Sequence, residues 1–216
     1  VAVEIEECRN MGLSIMPPDI NESFASFTVV TAGTKENKAV DATKGDYRTI
    51  RFGLKAIKNV GEHIVDEIIR VRKEGGPYKD IFDLMERITD KDLNKKSLES
   101  LVKSGAMDSF DERGRLLGNM ERLLEFNKDL ARTRDSRQES LFADSPLAAA
   151  PRLTLHEAAP IEASEKLSWE KELLGLYVSA HPYNSFRPYL SGYARPLAQL
   201  AGAKGDDRVI TAGIVA

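Results

Sequence analysis

The chain has 216 residues, with 31 Lys+Arg against 34 Asp+Glu, a formal net charge of −3 and 42% hydrophobic residues. That length admits one or two domains with real cores. The slightly acidic balance excludes a global basic field, so any nucleic-acid contact has to come from a local patch. Cys8 stands alone and His63, His156 and His181 are far apart in sequence, which leaves no disulfide framework and no metal-ligand spacing. No apolar run has the length to span a bilayer and the N-terminus lacks a signal-peptide layout, so a soluble, cytoplasmic protein with no membrane partner is expected.

The chain starts without Met on an apolar VAVEIEE run and stops within VITAGIVA, so both ends read as cut from something longer. Residues 1–11 read as the last turns of a helix that Gly12 ends. Residues 13–16 are extended, Pro17 and Pro18 block a helix, and Asp19, Ile20 and Asn21 form a turn. Residues 26–30 and 47–52 read as two paired strands that deliver the chain to Gly53.

Residues 54–72, LKAIKNVGEHIVDEIIRVR, carry the central pattern. Leu54 and Ile57 lead into a corner at Asn59, Val60 and Gly61, and Ile64, Val65, Ile68 and Ile69 then recur at helical spacing. Two short helices joined by such a corner present backbone N–H groups at the positive end of a helix dipole, which suits a phosphate. The N–H groups near Val60, Gly61, Glu62 and His63 are the expected donors, and Lys55 and Lys58 add attraction to a nucleic-acid backbone. A plain helical hairpin gives the same apolar pattern. Between residues 50 and 107 there are 12 Lys+Arg against 10 Asp+Glu, a local balance of +2.

Gly75, Gly76 and Pro77 stop this helix, and Ile81, Leu84, Met85 and Ile88 mark a short one. Residues 97–102 form another, followed by Lys103, Ser104 and Gly105, a second glycine corner that implies two tandem hairpins on a shared core and a second DNA-backbone contact at these three residues. Residues 113–131 read as the longest helix, with Leu116, Met120, Leu123, Leu124 and Leu130 as its apolar stripe. From Thr133 to Ile161 and on to residue 163 the pattern collapses into a flexible linker. One island, RQESLF, interrupts it: Gln138 offers an amide anchor and Leu141 and Phe142 two large apolar plugs, a docking peptide for a preformed groove. Ser164 caps a last helix over residues 165–177, and residues 209–215 have the composition of a first strand. No clustered carboxylates, phosphate loop or nucleophile–base arrangement holds together, so no catalytic residue is assigned.

The stretches IEECRNMGLSIMPPDINE (residues 5–22), 52–72, 75–84, 93–110 and ELLGLYVSAHP (residues 172–182) resemble the bacterial DNA polymerase III alpha subunits, the C-family replicative polymerases. The resemblance implies a mainly α fold. Residues 1–52 are then the end of a fingers region with a small β-hairpin, and 53–132 a tandem helix-hairpin-helix domain that grips duplex DNA. Residues 133–163 are a flexible segment carrying a sliding-clamp-binding motif at Gln138, Leu141 and Phe142. Residues 164–205 are a helical connection and 206–216 the truncated start of an OB-fold. Implied partners are duplex DNA, the sliding clamp and other replicase subunits. Mg2+ is implied for the complete polymerase, and no cofactor for this stretch. The hairpin corner of this motif class often reads Gly-x-Gly; Asn59 stands at the first glycine here, a residue that tolerates left-handed geometry. Two other readings stay open: a stand-alone helix-hairpin-helix protein of repair, and a helical interaction domain with no affinity for DNA.

Overall fold

The computed structural model describes residues 5, 7–8, 11–30, 49–88, 93–135, 153–190, 192–195 and 208–213. Among these residues the fold is mainly helical, with seven α-helices and one three-stranded sheet. Ile5, Glu7 and Cys8 are helical, and Gly12, at φ 82°, makes the left-handed turn that follows. The strands β1 (Ser14–Met16), β2 (Thr28–Val30) and β3 (Thr49–Arg51) lie in the order β1-β3-β2. The expected antiparallel pair is present, with Thr28 opposite Arg51 and Val30 opposite Thr49. The lead-in at Ser14–Met16 is also a strand, parallel to β3, so the sheet is mixed and larger than a β-hairpin. Three residues with one buried side chain, Ile15, carry too little alternation to announce a strand.

The helices are α1 (Glu62–Gly75), α2 (Ile81–Arg87), α3 (Lys95–Lys103), α4 (Arg113–Gly118), α5 (Met120–Asp135), α6 (Ala163–Leu174) and α7 (Tyr183–Leu190). The starts of α2 and α3 follow from short polar side chains. The Asp80 carboxylate accepts the Asp83 N–H at 2.8 Å. Asn94 accepts the N–H groups of Lys96 and Ser97, while Ser97 returns an acceptor to the Asn94 N–H, a reciprocal cap. Ile64, Val65 and Ile68 are fully buried, each worth about 1.5–3 kcal/mol. Burying that stripe turns Glu62, His63 and Asp66 outward.

Residues 17–24 are fixed to α1 by buried polar groups. Arg72 donates to the carbonyls of Ile20 (2.6 Å) and Ser23 (2.8 Å), and the Asn21 amide exchanges two hydrogen bonds with the Tyr78 backbone. Ile15, Ile20 and Phe52 therefore share one core with Ile64, Leu84 and Leu101, and packing runs on across residues 52 and 53.

Three expectations are corrected. The helix expected over 113–131 is two, α4 and α5, divided at Asn119. Asn119 breaks the run because its amide is spent elsewhere: it donates to the carbonyls of Arg115 (2.8 Å) and His156 (2.9 Å) and accepts the His156 N–H (2.8 Å). The apolar stripe also ends differently, since Asn127 is buried and caps α2 by donating to the carbonyls of Met85 and Ile88. Next, residues 153–161, expected as flexible linker, form an extended strap along α4 and α5. Arg122 holds the Thr154 carbonyl at 2.8 Å and Glu112 accepts the Ile161 N–H at 3.1 Å. Gly114 and Gly118, one turn apart, make room for it: a Cβ at Gly114 would overlap the Ala159 carbonyl oxygen, and one at Gly118 would crowd the Ala158 methyl at 3.2 Å. Finally, residues 208–213, expected to begin an OB-fold strand, form no strand. β-branched composition needs a neighbouring edge to become a strand, and among the described residues the Ile210 carbonyl accepts one backbone N–H, that of Arg195 at 2.9 Å.

Candidate nucleic-acid interface

The hairpin starts where Gly53 lets the chain pass against residues 25–27, since a Cβ there would overlap the Ser26 backbone. Leu54 and Lys55 donate to the carbonyls of Phe24 (2.9 Å) and Ala25 (3.0 Å). The first limb is a 3₁₀ turn, Leu54–Ala56, and not the short helix expected; three residues between a strand and a corner leave no room for an α-helical ladder. Leu54, Ile57 and Val60 are buried, so every third side chain pins the corner to the core.

Asn59 takes the left-handed conformation at φ 67° and is the sole non-glycine residue with positive φ among the described residues. Its side chain reaches Ser100 Oγ of α3 at 3.4 Å. The Lys58 N–H donates to the Leu173 carbonyl at 2.9 Å, so the end of α6 braces the corner from the other side. Gly61 is the N-cap of α1, with no side chain capping the helix. The ladder begins only at Val65, which donates to the Gly61 carbonyl at 3.3 Å. An uncapped helix start with Gly61, Glu62 and His63 exposed is a positive dipole end facing outward.

Gly61 has φ −69° and ψ 152°, values any residue adopts, and a Cβ there would meet nothing within 4 Å. Neither strain nor crowding within the chain calls for glycine at that position.

The charged residues divide unequally. Lys55 is held by Asp66 (3.1 Å) and Glu62 (3.4 Å), and its ammonium pKa is raised, first by the hydrogen bond to Asp66. It therefore offsets two acids beside the corner before it attracts anything outside. Lys58 is exposed and makes no ion pair among the described residues, which leaves it as the available cation. His63 lies exposed on the first turn of α1.

The second corner has another geometry. Gly105 is left-handed at φ 87°, and the Gly105 and Ala106 N–H groups return to the carbonyls of Val102 (3.0 Å) and Leu101 (3.1 Å). That closes α3 with a Schellman cap and uses those donors internally. Ser104 is buried and donates to the Leu101 carbonyl, and the Arg113 guanidinium covers Gly105. Lys103 pairs with Glu99 at 2.6 Å and lies over the Trp169 ring at 5.1 Å. Helix α4 begins only at Arg113, so no helix start stands at this corner. Ser104 and Gly105 are thus buried in the fold, while Lys103 is half-buried and engaged by Glu99 and Trp169. A lysine just ahead of a glycine is common to both corners, but the direction of the N–H groups is not.

Sequence reasoning missed the network that supports both corners. Arg113, buried, donates to Asp108 at 2.8 and 2.7 Å and to the Lys103 carbonyl at 2.9 Å. It also faces Glu170 at 3.8 Å. Glu170 is 1% exposed and accepts the N–H groups of Val178 (2.9 Å) and Ser179 (3.0 Å), tying α6 to the turn after it. Glu112 caps α4 through the Gly114 N–H and pairs with Lys166 at 2.8 Å. Partial burial pushes its carboxyl pKa up, but the hydrogen bonds from Lys166, Ile161 and Gly114 together bring it down to about 2. The glycine pair at 114 and 118 was the readable sign of a strap; nothing comparable marked Glu170.

Gln138, Leu141 and Phe142 lie outside the described residues. Among the described residues no three His, Cys, Asp or Glu side chains converge as metal donors. Nor is any described helix long and apolar enough to cross a membrane.

Comparison with known proteins adds two findings. A family model described as a helix-hairpin-helix motif matches residues 12–116. Curated relatives match nearly the whole chain. It is 36% identical to the DNA polymerase III subunit alpha of Thermus aquaticus over 219 residues, covering 100% of this chain and 16% of the relative. It is 37% identical to that of Bacillus subtilis (strain 168) over 186 residues, covering 86% of this chain and 15% of the relative. The corresponding protein of Pseudomonas aeruginosa is 33% identical over 236 residues, covering 100% of this chain and 18% of the relative. The chain thus spans less than a fifth of the length of these relatives.

Proposed function

Since the chain belongs to the bacterial DNA polymerase III alpha subunit family, we propose that it is the processivity module of a replicative polymerase, holding the backbone of duplex DNA at the Asn59–Gly61 corner. The observation that carries this reading is Gly61. A glycine that neither φ nor internal packing requires, at an uncapped and exposed helix start, fits a position where an outside group approaches the backbone closely. A phosphate there meets the N–H groups of the first turn, with Lys58 as the adjacent cation. Such contacts set position and carry no sequence information, as a polymerase moving over any template requires.

The second half of the proposal concerns residues 138–142. Gln138, Leu141 and Phe142 supply an amide anchor and two apolar plugs for a groove on the sliding clamp, and tethering there raises the effective concentration of the hairpin at DNA. Nucleotidyl transfer, with its Mg2+ and other replicase subunits, is assigned to the rest of a polymerase, with the cytoplasm as its setting.

The test is fluorescence anisotropy of a labelled duplex titrated with this chain across a salt series. Gly61→Ala is expected to keep its melting temperature and to bind the duplex several-fold more weakly, by about threefold to tenfold. Lys58→Ala is expected to lower the slope of log affinity against log salt by about 0.9. Wild-type binding by Gly61→Ala would refute the corner as the contact. For the tether, Phe142→Ala is expected to abolish binding to the clamp while duplex affinity stays unchanged; equal clamp binding by both proteins would remove that role.

A further inference from the structure

Helix α7 is the element that the duplex-binding reading leaves without a task. It buries none of its side chains. Phe186, Tyr189 and Tyr193 are 59%, 78% and 78% exposed, among the largest exposed apolar surfaces of the described residues. The aliphatic side chains just before it, Leu176 and Val178, are buried, so what this region shows to solvent is rings. Phe186 and Tyr189 are three residues apart in one helix and so lie on one face, with Cβ atoms about 5–6 Å apart.

The charge pattern is as unusual as the exposure. From Leu173 to residue 205 the sequence holds no Asp or Glu, although acids make up 34 of the 216 residues. The same span carries Arg187, Arg195 and Lys204. A groove of about 670 Å3 between α6 and α7 leads onto this face, with Lys171, Tyr177, His181 and Phe186 along it. Lys171 lies over the Tyr177 ring at 5.6 Å, and the Tyr177 and His181 rings meet edge to face at 5.4 Å. Glu172 is the one acid on the groove wall.

We infer that this face is a binding site for single-stranded nucleic acid, with unpaired bases stacked on Phe186, Tyr189 and Tyr193 and phosphates met by Arg187, Arg195 and Lys171. Exposed rings interleaved with cations, with Glu172 as the one acid on the groove wall, are complementary to a polyanion that offers flat apolar faces. Duplex DNA keeps its base faces stacked within itself and cannot use the rings, so this site is separate in ligand from the hairpin corner.

The experiment compares an oligothymidylate of about 16 nucleotides with a duplex of the same length by anisotropy, at several salt concentrations, using this chain. The double variant Phe186→Ala/Tyr189→Ala is expected to lose at least about tenfold in single-strand affinity and nothing in duplex affinity. Tyr189→Phe, which keeps the ring, is expected to retain the affinity. Arg187→Ala is expected to lower the single-strand salt slope by about 0.7. Lys58→Ala is expected to affect duplex binding alone, so failure here is distinguishable from failure of the hairpin reading. Unchanged melting temperatures check that the variants fold, as full exposure of the helix implies. Equal single-strand affinity of wild type and double variant overturns the inference. So does self-association of the wild type, read by light scattering, that disappears in the double variant, because the face would then be an interface between copies.

Discussion

Replacing Asn59 by alanine and, separately, by glycine isolates the backbone demand of the hairpin corner. At φ 67° an L-residue brings its Cβ against the following carbonyl, a cost of about 1–2 kcal/mol that glycine avoids and asparagine partly offsets by local hydrogen bonding. The contact from Asn59 Nδ2 to Ser100 Oγ, at 3.4 Å and exposed on one side, is long and adds at most about 0.5 kcal/mol. Asn59→Ala is therefore expected to lower the unfolding free energy by about 1–2 kcal/mol, and Asn59→Gly to stay within about 0.5 kcal/mol of wild type. Urea unfolding followed by circular dichroism reads both. Duplex binding, measured on the same samples below the transition, is expected to persist in Asn59→Gly, because the corner keeps its course. If alanine were as well tolerated as glycine, the left-handed corner would not be what fixes this hairpin. The argument for Asn59 as a substitute for glycine would then fail.

Three further outcomes follow from the supporting network. Glu112 titrates near 2 in the fold against 4.5 for an ordinary carboxyl, so its contribution is fully present above pH 4.5 and is lost as pH falls through 2. After allowance for its partial exposure that is about 1–2 kcal/mol, and Glu112→Gln should flatten the acid limb of a stability–pH curve by that amount. Gly114→Val drives a side chain into the Ala159 carbonyl; amide exchange over residues 153–161 should accelerate while α2 and α3 keep their protection, and an unchanged strap would show that α4 yields instead. Glu170→Ala leaves the buried Val178 N–H and the Ser179 N–H short of their acceptor and removes the carboxylate that faces Arg113, a loss of about 3–5 kcal/mol, whereas Glu170→Gln keeps an acceptor oxygen and should cost less than half of that; equal losses would mean that its charge, not its hydrogen bonds, is what matters.

What could be read from the sequence was whatever rests on local periodicity. Ile64, Val65, Ile68 and Ile69 announced α1, and β2 and β3 were visible as β-branched runs between turn residues. The corner was legible because Asn59 and Gly61 are the residue types that such a turn tolerates. The second corner misled because Lys103, Ser104 and Gly105 share that composition, while the decisive facts are distant: Arg113 lies over the glycine and α4 starts late. The break at Asn119 and the strap at 153–161 define each other, since each supplies the other's hydrogen-bond partners across 37 residues. No window of sequence contains both. Glu170 was unreadable for a related reason, as a buried carboxylate is stable only because the chain turns back at Val178 and Ser179 to cap it.

These long-range ties bear on how a weakly charged hairpin can be useful. With Lys55 committed to Glu62 and Asp66, the corner offers one available lysine and a helix dipole, a modest electrostatic attraction. Its contribution depends on holding the N–H groups where a phosphate needs them, so that little ordering cost falls on binding. Three separate elements do that: Val60 anchors the corner in the core, Ser100 on α3 meets Asn59, and the Leu173 carbonyl on α6 takes the Lys58 N–H. Helix α6 is in turn held by Glu112 through Lys166 and lies near Arg113 through Glu170. The strap and α6 follow residues 136–152 in the chain, so the segment proposed to meet the clamp leads in sequence into the parts that brace the corner proposed to meet DNA. A weak, sequence-blind contact at a rigid corner, combined with a tether elsewhere in the chain, is what the proposed processivity role calls for.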